Sequence, residues 1–291
     1  MATWIKETAS SENRETEKET DRETSVLPKE VDIEKELPSK ELADKAYTET
    51  IRGIVNENSD CIPEDQKTRI RITGMLYKPT VMSPEAYCER FPESDPNTLG
   101  HYNPEGRIYI KDGAPETLCH VATHEAVHLA SYNEINDQNP ENRVYRCGIR
   151  ETTCDESRIK EDRNCALNEG ITELFAVEEM QRRGEINEML PFSSYPEARK
   201  AAFELRELTG RDAVREAFFG GETEQLKEEV ILMNYGDETA WDRFSKNVDV
   251  LEYGTNEAEI LKARQELTRQ KAIMLSFKEE HLHDAHDIRY V

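Results

Sequence analysis

A chain of 291 residues with 61 acidic and 38 basic side chains carries a formal charge of −23. That excess excludes a general nucleic-acid binder, which needs cations to neutralise phosphates, and it disfavours adsorption to anionic membranes. Hydrophobic residues make up 36% and charged residues 34%, so part of the chain is expected to stay unfolded. No apolar run approaches the ~20 residues of a membrane span.

The opening segment, MATWIKETASSENRETEK, lacks the apolar stretch of a signal peptide. It points to the cytoplasm, and leaderless export is compatible with it. Residues 1–38 are mostly Glu, Lys, Thr and Ser and cannot bury enough surface to offset their ordering entropy, so they are expected to form a solvated acidic leader. Six cysteines, with no C-x-x-C pair, read as free thiols rather than a disulfide scaffold or zinc knuckle. Cys147 and Cys154 are the one pair placed to meet, across a hairpin.

Order is expected from Ser39. Leu42, Ala46, Thr50 and Ile54 share one helical face, with Ala43, Tyr47, Ile51 and Val55 beside them. Lys67–Tyr77 alternates and is rich in β-branched residues, which predicts a strand. Residues 79–98 read as a long loop. Gly100–Tyr102, Asn103–Gly106 and Arg107–Ile110 read as strand, turn and strand. Pro115 opens a helix running to about Tyr132. Residues 133–142 read as loop, and Arg143–Arg150 with Thr152–Ser157 as a short hairpin. A helix over 165–183 follows. Helices near 197–209, 211–219, 222–234, 237–250 and 256–280 are separated by glycines. Strands in the first half and helices in the second predict an α+β fold.

Within the helix after Pro115 stands His124-Glu125-Ala126-Val127-His128, an H-E-x-x-H. Four helical residues turn ~400°, so the two imidazoles project ~40° apart and one turn up, where both can bind one metal ion. Glu125 can then reach a water on that metal. Histidine is 7 and glutamate 45 of 291 residues. A chance H-E-x-x-H is expected roughly 0.03 times in such a chain, so the motif is read as chemistry. Downstream, Leu167-Asn168-Glu169-Gly170-Ile171-Thr172-Glu173 places two carboxylates one helical turn apart. A catalytic zinc site takes three protein ligands and leaves one position open. Glu169 can supply the third ligand, and Glu173 can hydrogen-bond a ligating imidazole and fix its tautomer.

HEAVH followed by NEGITE resembles the gluzincin clan of zinc metallopeptidases, whose pattern is H-E-x-x-H and then N-E-x-x-x-(D/E) on a later helix. The specific likeness spans about residues 100–180 and is closest to small bacterial gluzincin-like proteins. It implies a zincin-like fold: a small mixed β-sheet and active-site helix over residues 39–183, then an all-helical C-terminal subdomain over 184–291. It implies one Zn2+ per chain held by His124, His128 and Glu169, with Glu125 as general base and acid and Glu173 supporting a ligand. It also implies a peptide or protein substrate. GRIYIKDG resembles the edge strand that pairs with an extended substrate in zincins, which would let Arg107–Ile110 position the scissile bond by strand addition.

Gluzincins place a Tyr or His over the metal, and no motif here fixes that residue. Tyr195, Tyr235 and Tyr253 are the candidates; Tyr195 is chosen as catalytic because it opens the helical subdomain. His120 is read as exposed, His101 as a strand residue, and the C-terminal His281, His283 and His286, with Asp284 and Asp287, as a solvated tail. Two other functions fit the motif: a zincin-fold binding protein whose metal site is not proteolytic, and a zinc hydrolase of a non-peptide amide or ester.

Overall fold

The computed structural model describes residues 39–92, 98–103, 106–139, 143–155, 159–186 and 195–287. The expected leader, 1–38, lies outside them. So do the side chains of 282–287, and with them most of the C-terminal histidine cluster.

Helix α1 (Ser39–Glu57) forms where the apolar periodicity placed it and buries Ala43, Ala46, Tyr47, Thr50 and Ile54. The predicted strand over Lys67–Tyr77 is instead helix α2 (Glu64–Leu76). Ile70 and Ile72 alternate with arginines, but only Gln66 and Ile70, four apart, are buried, while Ile72 is 52% exposed. Pro63 at the N-cap and Glu64-Asp65 in the first turn are helix-start signals, and they outweigh the short β-like alternation. Residues 79–98 are not a plain loop either. Strand β1 (Thr80–Met82) is followed by helix α3 (Pro84–Arg90), where Ser83 Oγ accepts from the Ala86 N–H at 3.3 Å and Pro84 sits in the first turn.

Strands β2 (Gly100–Tyr102) and β3 (Ile108–Lys111) fall as read from the sequence. The sheet order is β1-β3-β2, with β3 parallel to β1 and antiparallel to β2. β3 is therefore central and paired on both sides. The expectation that it is an edge strand free to pair with substrate is corrected: pairing order is set by the β1 contact, which the local sequence does not encode.

Helix α4 (Pro115–Ala130) is the central element, and every residue from His120 to Ala130 is buried. It is flanked by α1, by the mixed sheet and by helix α5 (Cys165–Arg182). Arg183 clamps the three helices together, donating to Ala46 O (3.2 Å), to Thr50 Oγ1 and to Thr123 Oγ1 (2.8 Å).

Between α4 and α5 the chain forms a second, antiparallel sheet: β4 (Asn133–Asn136), β5 (Arg143–Cys147), β6 (Arg150–Cys154) and β7 (Ile159–Arg163), paired in sequence order. β4 corrects the loop expected over 133–142, and β7 extends the predicted hairpin. Their mostly exposed, polar side chains carry no apolar alternation to read. The register sets Cys147 opposite Arg150 and Cys154 opposite Arg143, at opposite ends of the hairpin. The two cysteines therefore do not meet, and all six are free thiols.

The second half is helical: α6 (Pro196–Thr209), α7 (Arg211–Arg215) running into a π-helical turn (Glu216–Gly220), α8 (Thr223–Met233), α9 (Ala240–Tyr253) and α10 (Glu257–Asp287). Gly170 of α5 lets α6 approach closely; a Cβ there would lie 2.2 Å from the Ala198 carbonyl oxygen. α9 satisfies the free N–H groups of two neighbours. Asp249 Oδ1 accepts from the Ala166 N–H at 2.7 Å, and Glu252 Oε2 from the Ala198 N–H at 3.0 Å. Among the described residues the fold is thus α+β, with two small sheets. No helix among the described residues is long and apolar enough to cross a membrane.

Candidate metal centre

His124 and His128 lie on one face of α4 because helical geometry requires it, and Glu169 reaches them from the first turns of α5. His128 Nε2 is 3.1 Å from His124 Nε2 and 3.1 Å from Glu169 Oε2, and His124 Nε2 is 3.3 Å from Glu169 Oε2. All three residues are buried, and together they form a group able to hold a metal ion. A four-coordinate ion with bonds of ~2.0–2.1 Å needs ligand atoms ~3.3 Å apart, so the donor set fits.

The outer nitrogens decide which atoms face inward. Glu173 Oε2 lies 3.0 Å from His124 Nδ1. Thr172 Oγ1 spends its proton on the Asn168 carbonyl at 2.8 Å and can only accept from His128 Nδ1, 3.3 Å away. Both Nδ1 atoms therefore carry hydrogen, which leaves the two Nε2 atoms, on the Glu169 side, as the ones able to offer a lone pair to a metal. His120 is not exposed, as the sequence reading had it. It is buried, and its Nε2 lies 3.0 Å from each oxygen of Glu173. The helix series 120, 124, 128 was the available sign, since all three occupy one face.

Charge is concentrated here without solvent. Burial would raise the carboxyls of Glu169 and Glu173, but the facing histidines overcome it and hold both down at about 2. Burial would likewise lower His124, yet its hydrogen bonds to Glu169 and Glu173 lift it to about 10. His128 is pushed down by burial. Without metal, a second proton on His124 thus takes the place of the cation between the two carboxylates.

Glu125 is fully buried and its two oxygens have no protein hydrogen-bond partner; desolvation raises it to about 8. Strand β2 lies directly over it. A Cβ on Gly100 would come within 2.6 Å of Glu125 Oε1, so this position has room for glycine alone. Tyr195, the N-cap of α6, stacks on His124 with ring centroids 6.0 Å apart. It is 1% exposed, its hydroxyl has no protein partner, and its backbone is left-handed at φ 61°, a conformation costly for a bulky residue. Tyr235 is exposed and bonds Glu280, and the Tyr253 hydroxyl is 3.9 Å from Cys165 Sγ. His101 is a buried strand residue whose Nδ1 is 2.6 Å from the Tyr87 hydroxyl.

Two neighbours escaped the sequence reading. Tyr102 of β2 stacks on His128 at 6.3 Å and 9° between planes, and Cys147 Sγ lies 4.0 Å from His128 Nδ1. Both contacts arise from strand placement rather than from spacing. No protein-family model, no curated protein and no solved structure matches the chain.

Proposed function

We propose that the chain is a zinc-dependent metallopeptidase of the gluzincin type on a zincin-like frame. The observation that carries this reading is the convergence of His124 Nε2, His128 Nε2 and Glu169 Oε2 at 3.1–3.3 Å, with Glu125 following His124 in the same buried core. Two imidazoles and one carboxylate at tetrahedral spacing suit zinc among the common divalent ions. Bound there, zinc supplies Lewis acidity and a water whose pKa is near ~7. Glu125, whose oxygens have no protein hydrogen-bond partner, would serve as the base for the attacking water and would return that proton to the leaving amine. Tyr195 donates its unpartnered hydroxyl to the oxygen that becomes negative on the attacked carbonyl. Glu173 and Thr172 hold the imidazoles in the ligating tautomer.

The complete burial of His124, Glu125 and His128 favours a second reading, a metal-binding protein on this frame that does not hydrolyse peptides. One experiment separates the two. Zinc content and cleavage of a peptide library are measured for wild type and Glu125→Gln. The expected result is one zinc in both proteins and cleavage by wild type alone, with at least ~10²-fold lost in the variant. A zinc-loaded wild type that cleaves nothing establishes the second reading. A chain that takes up no zinc removes both.

A further inference from the structure

Among the described residues, twelve large hydrophobic side chains are exposed, and four of them, Ile72, Met75, Leu76 and Tyr77, fall at the end of α2 and its C-cap. Ile72, Met75 and Leu76 are spaced i, i+3, i+4 and share one helical face, opposite the buried Ile70. Met75 is 79% and Leu76 67% exposed. Single exposed hydrophobics are ordinary, whereas a stripe of them marks a surface that meets a partner. The helix is a fixed platform. Arg69 donates to the carbonyls of Leu129 and Ser131 at 2.9 and 2.8 Å, and Lys78 Nζ to Thr48 Oγ1 at 2.8 Å.

Charge narrows the partner. No Asp or Glu occurs between Asp65 and Glu85, whereas Lys67, Arg69, Arg71 and Lys78 all do. The acids on either side are engaged: Glu64, at the start of α2, by Lys67 at 2.5 Å, and Asp44, one turn before Thr48 on α1, by Lys40. Arg71 and Lys78 make no ion pair among the described residues. The stripe therefore suits an acidic segment that carries apolar side chains. An anionic lipid surface offers the same charge, but it repels the rest of a chain of −23.

Such a segment adjoins the platform. Apart from Met1, Trp4 and Ile5, the large apolar residues of 1–38 are Val26, Leu27, Val31, Ile33 and Leu37. Glu30, Asp32, Glu34 and Glu36 are interleaved with the last three. The reach suffices. Thr48, which Lys78 touches, is nine residues beyond Ser39, or ~14 Å along α1. Ile33, six residues before Ser39, can lie up to ~20 Å from it, and Val31, eight residues before, up to ~26 Å.

We propose that the Ile72–Met75–Leu76 face of α2 is the docking site of the chain's own residues 30–36, with Val31 and Ile33 on the stripe and the interleaved acids meeting Arg71 and Lys78. A few apolar side chains cannot order a segment by themselves, which is why the sequence reads as a solvated leader; here they use a surface that α2 already presents. The tether gives an effective concentration on the order of millimolar, so a contact too weak to join two separate chains is still occupied within one. The contact is independent of the metal centre and of the peptidase reading.

The test is photo-crosslinking of the full chain with Ile33 replaced by benzoylphenylalanine, the adducts being mapped by mass spectrometry. Labelling within one chain is expected on residues 71–78, with a yield that does not change on dilution. Ile72→Glu/Leu76→Glu alters exposed positions and keeps Met75 as an acceptor; it should cut that yield by at least about tenfold. Arg71→Glu/Lys78→Glu should cut it by about threefold or more, and Asp32→Lys/Glu34→Lys added to that variant should restore it. Circular dichroism checks that each variant keeps its helices. Labelling that misses α2, or that is undiminished in Ile72→Glu/Leu76→Glu, overturns the proposal. So does labelling found only in covalent dimers and fading on dilution, which would make the face an interface between two copies. Flotation of wild type, but not of Ile72→Glu/Leu76→Glu, with phosphatidylcholine–phosphatidylserine vesicles would assign the face to a lipid surface and overturn it as well.

Discussion

Glu169 and Glu173 sit one helical turn apart, are equally buried and differ in which nitrogens they face, so removing each charge should have a different consequence. Glu169 Oε2 lies on the inner, Nε2 side of both histidines, whereas Glu173 lies on the outer, Nδ1 side of His124 and against His120. Glu169→Gln therefore removes one of three ligands. Four-ligand zinc sites bind with ~10–16 kcal/mol, or ~3 kcal/mol per ligand, so the loss should be ~100-fold or more. Glu173→Gln keeps an oxygen able to accept from His124 Nδ1 and removes only the charge behind the ligand, at a cost of ~10–100-fold, or ~1.4–2.7 kcal/mol. Because His120 reaches the metal only through Glu173, the double variant His120→Gln/Glu173→Gln should bind zinc about as well as Glu173→Gln alone. Competition against a chromophoric chelator at neutral pH measures all three affinities. If Glu173→Gln loses more zinc than Glu169→Gln, the ligand assignment is reversed. If both retain wild-type affinity, the third ligand lies elsewhere and the site model fails.

Tyr195→Phe keeps the ring on His124 and removes only the unpartnered hydroxyl, so kcat on a cleaved peptide should fall by ~10²–10³-fold with KM little changed; an unaltered kcat would remove Tyr195 from the chemistry. The proton on His124 must leave before metal enters. Zinc affinity should therefore rise about tenfold per pH unit while the pH stays below about 10, with one proton released per zinc, and a flat profile by calorimetry in buffers of different ionisation enthalpy would contradict this. In the metal-free chain the depressed carboxyls of Glu169 and Glu173 contribute stability that is present above their ordinary value of 4.5 and is lost as pH falls through about 2, which acid denaturation followed by circular dichroism should show. Gly170→Ala forces a methyl group against the Ala198 carbonyl, and the helices must separate by about 1 Å to relieve the contact. A loss of ~1–3 kcal/mol in denaturant unfolding is expected together with weaker zinc binding, because Glu169 moves with the helix; unchanged stability would show that α6 yields freely.

The ligand helices were legible because their information is local. H-E-x-x-H fixes two side chains by helical rotation alone, and N-E-x-x-x-E repeats the device on α5, so the structure brings together residues chosen by spacing. His120 shares the face of His124, but its burial comes from a carboxylate 53 positions away that the helix itself does not reveal. α2 was misread because a few alternating β-branched residues outweighed the proline and acidic pair at its start. β3 was read correctly as a strand and wrongly as an edge, since its second neighbour arrives from before a helix and lies parallel to it. β4 and β7 carry polar side chains on both faces and form through register rather than through an apolar pattern.

Both the ligand helix α5 and the tyrosine-bearing helix α6 begin on carboxylates borrowed from α9, more than fifty residues further along the chain. Neither helix has a side-chain cap of its own at that end. The two sequence motifs therefore do not make a portable cassette. A fragment ending after α5 would keep every proposed ligand while losing the anchors that set where Glu169 and Tyr195 stand. An engineer moving this centre to another scaffold would have to bring Asp249 and Glu252 with it, or invent their equivalents.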